Sequence, residues 1–359
     1  MVAPFEFDPG LAESVPTPRA KRARRSHGGS STLLEVADKA GVSLKTASRA
    51  MNGEPNVRPE TRQRVYDAAR ELDFQLNAVA SMLGRGISSE FVGLVTGDLE
   101  NPFYFSLAKG VEIAAREHGS QLTIASSDED PKRERQLIDE LVARHVRGIL
   151  LVSAMVSHET LAYVSERGIP LVFVDRPGRG IEAPSVVLDN RAGARAAVEH
   201  LIEHGHRDIA FVGEYSWPAS HEERYAGYVE AMLAHGLAPD EPHLRENVHG
   251  VSRAKEVVLE MLTGEAPPTA LFTSNNQVTV GALYALSELH SQVAIVGFDD
   301  FDFAELVGVT VVSHDPVELG RRAAKYLFEP QSTAKKELIL IPTTIIPRGS
   351  GERMPVRSH

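Results

Sequence analysis

From Phe91 onward the chain repeats one pattern: a short β-branched run, a polar break, then apolar residues at helical spacing. The runs are Phe91–Val95, Gln121–Ala125, Gly148–Val152, Leu171–Val174, Ser185–Leu188, Ile209–Val212, Ala270–Thr273, Val293–Phe298 and Glu337–Ile346. Helical spacing fills the early gaps at Tyr104–His118, Lys132–Arg144 and His158–Arg167. Strands and helices alternating at this interval predict a parallel, doubly wound sheet. So many runs overfill one sheet, and two similar α/β lobes are expected. In such sheets ligands sit beyond the strand C-terminal ends, which makes a crevice between the lobes the natural pocket.

The N-terminal stretch Thr32–Asn52 reads differently. Leu33, Val36, Ala37 and Ala40 make an apolar face at helical spacing, and Gly41 follows where the chain must turn with a positive φ. Ser43 offers a hydroxyl N-cap to a second helix, which buries Ala47 and Met51 and turns Leu44, Lys45, Ser48 and Arg49 outward. Lys45 and Arg49 are four apart and share a face. A helix with cationic and hydroxyl groups on its exposed N-terminal half is what a helix-turn-helix places in the major groove. On these residues alone a plain helical hairpin with a solvated charged face is the leading alternative. Pro59 then opens a third helix over Glu60–Asp73, whose Val65, Ala68, Ala69 and Leu72 face the same small core.

Charge separates the two parts. The net charge is −11, yet residues 19–64 hold 11 Lys and Arg against 4 Asp and Glu, while residues 91–359 hold 25 against 38. A basic module suited to phosphates is joined to a body that repels them. With no cysteine there is no disulfide and no thiolate metal site or nucleophile. The 14 histidines form no zincin-like motif. No nucleophile elbow, phosphate loop or dinucleotide fingerprint occurs, and Asp299-Asp300 diverge as neighbours on one strand end. The expectation is no enzyme, no cofactor and no metal. Without a membrane-length apolar run or a signal-peptide core, no membrane partner and a cytoplasmic location are expected.

The motifs in order make the chain resemble the lactose-repressor (LacI) family of bacterial transcription regulators, from about Thr32 to Ser350. They are Thr32-Leu33-x-x-Val36-Ala37, Gly41-Val42-Ser43, Thr46-x-Ser48-Arg49-x-x-Asn52-Gly53, Pro59-Glu60-Thr61-Arg62 and Asn77-x-x-Ala80-x-x-Leu83. The body adds Asn101-Pro102-Phe103, Val174-Asp175-Arg176-Pro177, Asp189-Asn190-x-x-Gly193, Arg224-x-x-Gly227 and Val296-Gly297-Phe298-Asp299-Asp300. The resemblance implies a repressor-type regulator, a homodimer on pseudo-palindromic double-stranded operator DNA. It implies an all-α helix-turn-helix domain followed by two lobes like those of a type-1 periplasmic binding protein. The expected divisions are a disordered basic tail (1–29), a helix-turn-helix domain (30–74), a hinge helix and linker (75–90), the body (91–350) and a loose tail (351–359). Within the body, the N-lobe takes about 91–188 and part of 315–340, and the C-lobe about 189–312 and the C-terminal strand.

The same resemblance assigns residues. Leu44, Lys45 and Arg49 match positions that reach base edges. Thr32, Ser43, Thr46, Ser48, Asn52 and Thr61 match positions near the phosphate backbone, with local helix capping as the competing role. Asn77, Ala80 and Leu83 match a hinge helix that folds in the minor groove, where paired Leu83 side chains wedge into a base step. Asn101, Phe103, Asp175, Ser220, Arg224, Asn275, Asp299 and His314 match a pocket for a small effector, a sugar or nucleoside-like metabolite. Taken singly, Asp299 also fits a loop cap, and Arg224 a partner of Glu223 or Asp175. Some positions depart from the family pattern. Arg58 replaces a helix-capping Ser, Asn276 replaces an Asp, and Val251 stands where sugar-binding relatives carry an aromatic, with Trp217 a substitute near Ser220. The C-terminal tail lacks heptad leucines, which points to a dimer and not a tetramer.

Overall fold

A computed structural model describes residues 31–74, 90–239, 241–329 and 337–355. The chain divides into two compact units, residues 1–85 and 86–359. The basic tail and the segment holding Asn77, Ala80 and Leu83 lie outside the described residues.

In the first unit, α1 (Leu33–Ala40), α2 (Leu44–Met51) and α3 (Pro59–Glu71) close on a core of small side chains. Thr32 caps α1 in a reciprocal box with Glu35, whose carboxylate accepts from the Thr32 amide at 2.7 Å. Gly41 ends α1 with φ 65°, a conformation that carries no Cβ penalty only in glycine. Ser43 caps α2 by accepting from the Thr46 amide. Arg58 gives α3 no side-chain cap, so that helix starts on the preset φ of Pro59 alone. Ala47 and Ala50 are fully buried, whereas Met51 is only half-buried, which corrects the expected face by one residue. Alanines let the three short helices approach closely, and the larger Met51 packs at the margin.

The second unit contains two six-stranded sheets. The first holds β1 (Phe91–Thr96), β2 (Gln121–Ser126), β3 (Gly148–Leu151), β4 (Leu171–Val174), β5 (Ser185–Leu188) and β11 (Leu338–Ile341), in the order β11-β5-β4-β3-β1-β2, all parallel. The second holds β6 (Ile209–Val212), β7 (Leu244–Arg245), β8 (Ala270–Thr273), β9 (Ala294–Phe298), β10 (Thr310–Ser313) and β12 (Thr344–Ile346). Its order is β12-β10-β9-β8-β6-β7, with only β12 antiparallel. The long apolar run at Glu337–Ile346 is therefore two strands in different sheets. Pro342, which has no amide to donate, separates them.

The helices that matter below are α4 (Pro102–Glu117), α5 (Pro131–Ala143) and α6 (Ala162–Glu166), then α7 (Asn190–Glu203) and α8 (Ala219–Ala234). They are followed by α9 (Gly250–Leu262), α10 (Asn276–Glu288) and α11 (Pro316–Phe328). Helix α11 follows the second sheet in sequence but packs on α4 and on β4 and β5 of the first lobe. At that crossing Gly110 faces the Val317 carbonyl and Gly320 the Leu107 carbonyl, with no room for a Cβ on either side. The chain thus passes between lobes three times, near Asp189, near His314 and at Pro342. Residues 351–353, expected within a loose tail, are packed instead. Gly351 is buried, Glu352 binds His200 and Thr310, and His206 Nε2 lies 2.7 Å from the Arg353 carbonyl.

Candidate functional site

Helix α2 presents Leu44, about half exposed, and an exposed Lys45. Arg49 is differently placed: its Nε donates to Glu54 Oε2 at 2.9 Å, across the turn after α2. Asn52 Nδ2 donates to the Ser48 carbonyl at 2.7 Å, so both side chains already serve the C-terminus of α2. Thr46 lies 2.8 Å from Ser43 through its hydroxyl, and Thr61 is half-buried in the first turns of α3. Sequence proximity did not show that Arg49 is anchored, since its partner lies five residues away beyond the helix end.

The second site lies between the lobes, at the C-terminal ends of their strands. Asn101, Phe103, Asp175, Ser220, Arg224, Asn275 and Asp299 all line one cleft. His314 does not; its side chain is 2% exposed and sits behind Asp299, bonded to it at 2.8 Å through Nε2. Sequence reasoning missed Tyr104, Arg176, Glu214, Tyr215, Pro218, His221 and Ser274, which line the same space. Several of these follow directly from strand ends: Glu214 comes just after β6 and Ser274 just after β8. The rule that ligands gather at strand C-termini would have found both.

Helix starts place much of the wall. Asn101 caps α4 by accepting from the Phe103 amide at 3.0 Å, and also accepts from Asn276 Nδ2 of the other lobe at 2.9 Å. Asn275 caps α10 by accepting from the Val278 amide, and its Nδ2 donates to Glu214 Oε2 at 2.5 Å. The two cations are clamped. Arg224 donates to Asn190 Oδ1 at 2.8 Å and to the Ser274 carbonyl at 2.5 Å, and pairs with Asp299 at 3.4 Å while lying over the Phe298 ring. Its partner is thus Asp299, and neither Glu223 nor Asp175. Glu223 binds Arg191 instead. Arg176 grips Glu129 with both Nη groups, at 2.7 and 2.8 Å, and donates to the Ser153 carbonyl at 2.8 Å. Its guanidinium also lies over Trp217 of the other lobe, 5.0 Å from the ring centroid. Beneath it, the buried Glu134 carboxylate accepts from the Ser153 hydroxyl at 2.6 Å and from the Ala154 amide, and burial pushes its carboxyl up.

Charge in the cleft is uneven. Burial raises the Asp175 carboxyl, against the pull of Arg176 and Arg224. Burial also pushes the Tyr104 phenol up; Arg176 opposes that, and Asp175, Glu129 and Glu214 reinforce it. His249, bonded to Glu214 at 3.0 Å, has its pKa raised by that bond and further by the field of Asp98 and Glu129. Burial depresses the pKa of His221, which keeps a 2.8 Å bond to Glu246. The free space is about 40 Å³, enough for little more than one water and far below the ~300 Å³ at the lower end of ligand pockets. Among the described residues no group of three or more metal-ligating side chains occurs, and no helix is long and apolar enough to cross a membrane.

A two-lobed α/β cleft of this kind, in a chain that also folds a helix-turn-helix, has the architecture of a bacterial transcription regulator. The family profile described as bacterial regulatory proteins, lacI family, matches residues 32–77. The profile for periplasmic binding proteins and the sugar binding domain of the LacI family matches residues 89–348. The chain belongs to the LacI family of bacterial transcription regulators. It is 29% identical to catabolite control protein A of Priestia megaterium over 88% of this chain and 97% of that one. It is equally identical, at 29%, to the regulator GalR of Escherichia coli over 82% of this chain and 87% of that one. The solved lac repressor dimer, bound to operator and an anti-inducer, matches with a TM-score of 0.77 at 25% identity, covering 90% of this chain and all of that one. The regulator CelR in complex with cellobiose matches at 0.66 and 29%, covering 89% and 99%.

Proposed function

We propose that this regulator is a repressor that binds a pseudo-palindromic operator as a homodimer, and that a small polyhydroxylated metabolite in the cleft sets its operator affinity. It acts on chromosomal DNA in the cytoplasm and performs no chemistry on the metabolite. The observation that carries the effector half is a gap at the cleft wall. Arg176 Nε is buried without a hydrogen-bond partner, and Asp175 Oδ2 stands 3.9 Å from it. That separation is too long for a direct bond. A hydroxyl is the group that fills it, because it accepts from Nε while donating to the carboxylate. The CelR complex with cellobiose, a polyhydroxylated ligand, agrees with this chemistry.

For the DNA half, Lys45 and Leu44 are free to meet base edges, while Arg49 must either use its Nη groups or leave Glu54. Thr32, Ser43, Thr46, Ser48, Asn52 and Thr61 set register against phosphates. Asn77, Ala80 and Leu83 are proposed to form the minor-groove hinge. A second copy of the chain is proposed to cover the exposed apolar side chains Tyr284, Phe303, Leu306 and Val307, the third of them 86% exposed. Effector and operator then weaken or strengthen one another by one shared factor, typically ~1–3 kcal/mol.

Footprinting on the gene's own promoter, with and without a panel of sugars and nucleosides, tests both halves. The expected result is a two-fold symmetric footprint that one panel member shifts. Lys45→Ala should relax base preference in each half-site, whereas Thr61→Ala should weaken all sequences alike. An unchanged preferred sequence in Lys45→Ala removes that residue from base reading.

A further inference from the structure

The cleft contains two guanidiniums, and each already has a carboxylate partner, although Arg176 Nε keeps no hydrogen bond. Arg176 is matched by both oxygens of Glu129, and Arg224 by Asp299 with the further support of Asn190. The donors at two helix starts are spent as well, because Asn101 and Asn275 cap their own helices. What remains is negative. Asp175 projects from the N-lobe with no hydrogen bond closer than the 3.9 Å gap to Arg176, and Glu214 projects from the C-lobe held only by an amide and an imidazole. The Asp98 and Glu129 fields reach the same rim, where they act on both Tyr215 and His249. A phosphate or carboxylate entering here would lose its hydration, meet no unpaired guanidinium and face two carboxylates, which is a costly combination. An ammonium entering here would gain both carboxylates.

From this charge remainder we infer that the effector is a hydroxylated amine, with a hydroxyl between Asp175 and Arg176 and a protonated nitrogen at Glu214 beside Tyr215. The inference rests on the effector cleft of the proposed function and narrows its ligand class. It also supplies a reason for closure, since Asp175 and Glu214 belong to opposite lobes and one cationic ligand draws both inward. A sugar bearing a free amine is the simplest member of the class; a phosphorylated or acidic sugar is the class it excludes.

Trp217 is the only tryptophan of the chain and lies over Arg176, which forms part of the cleft wall, so intrinsic fluorescence of the full-length protein reports on the site. The probes are D-glucosamine and D-galactosamine, each beside its parent hexose, its N-acetyl derivative and its 6-phosphate. The amines should bind at least about tenfold more tightly than their parents, equivalent to ~1.4 kcal/mol, and the phosphates should give no response. Glu214→Gln should erase the preference for amine over parent, because the amide keeps the shape and one acceptor but removes the charge. Asp175→Asn should weaken amine and parent together. A phosphate or parent hexose binding more tightly than its amine overturns the inference, as does an amine preference that survives Glu214→Gln. Silence from every amine overturns it too. If a neutral or phosphorylated sugar then releases the operator in a gel-shift assay, the regulator reading stands and only the amine is lost. If the protein binds no operator under any condition, the failure belongs to the proposed function instead.

Discussion

Asp175 and Asp299 stand at equivalent places in the two lobes. Each follows a central strand of its sheet, each donates its amide to the neighbouring strand (Val186 and Val312), and each holds a left-handed backbone, at φ 67° and 68°. Aspartate is among the few residues besides glycine that accept this conformation. Both side chains are equally buried. Their chemistry nevertheless differs. Asp299 accepts from His314 at 2.8 Å and pairs with Arg224, and these partners outweigh burial and hold its carboxyl below the usual range. Asp175 has only a distant Arg176, and burial holds its carboxyl above that range. The same motif on the same backbone therefore makes one carboxylate a structural anchor and leaves the other seeking a partner. What decides between them is the residues contributed from elsewhere in the chain.

The comparison breaks most visibly by removing the anchor. Asp299→Asn should cost about 3–5 kcal/mol in urea unfolding, because it strands a buried guanidinium beside a buried imidazole. Asp175→Asn in the ligand-free protein should cost under about 1 kcal/mol or even stabilise it, since a poorly paired buried carboxylate disappears. Equal losses in the two variants would erase the distinction. The pH dependence should carry opposite signs. The pKa of Asp175 is raised on folding, so its contribution is full below the ordinary value of 3.8 and is lost as pH climbs through the higher folded value. The pKa of Asp299 is depressed, so its contribution is present above 3.8 and is lost as pH falls through the lower folded value. Urea titrations across these two windows should show Asp175→Asn gaining on the parent as pH rises and Asp299→Asn recovering toward it in acid. A further variant sharpens the anchor: His314→Asn, too short to reach Asp299, loses the Nε2 hydrogen bond to the carboxylate and should cost about 1.5–3 kcal/mol, with Asp299 titrating higher.

Much of this was legible in the sequence, for a physical reason. Strand runs, the helix caps at Thr32 and Ser43, and the turn at Gly41 are local, and local chemistry determines them. The pairing of charges is not local. Arg224 was expected beside Glu223 or Asp175, yet neighbours on a helix point to different sides, and the guanidinium reaches Asp299, 75 residues on. Arg176 touches Asp175 in sequence but reaches Glu129, 47 residues back. His314 carries a pocket motif yet serves the pocket from behind. The single apolar run at Glu337–Ile346 gave no hint that it feeds two sheets. Only the lobes' topology reveals that, although Pro342 was visible as an interruption.

That division has a consequence for how the chain is made. The outer strand of the first sheet, β11, comes from residues 338–341 and pairs with β5, which ends at residue 188. During synthesis the helix-turn-helix emerges whole within its first tens of residues, and the second lobe's inner strands follow in order. The first lobe, although begun early, keeps the edge of β5 bare until residues 338–341 have been made. An uncovered strand edge is a template for wrong pairing. The first lobe is thus finished after the second and is the longer exposed to aggregation, while the helices of residues 33–71 are made before either lobe begins.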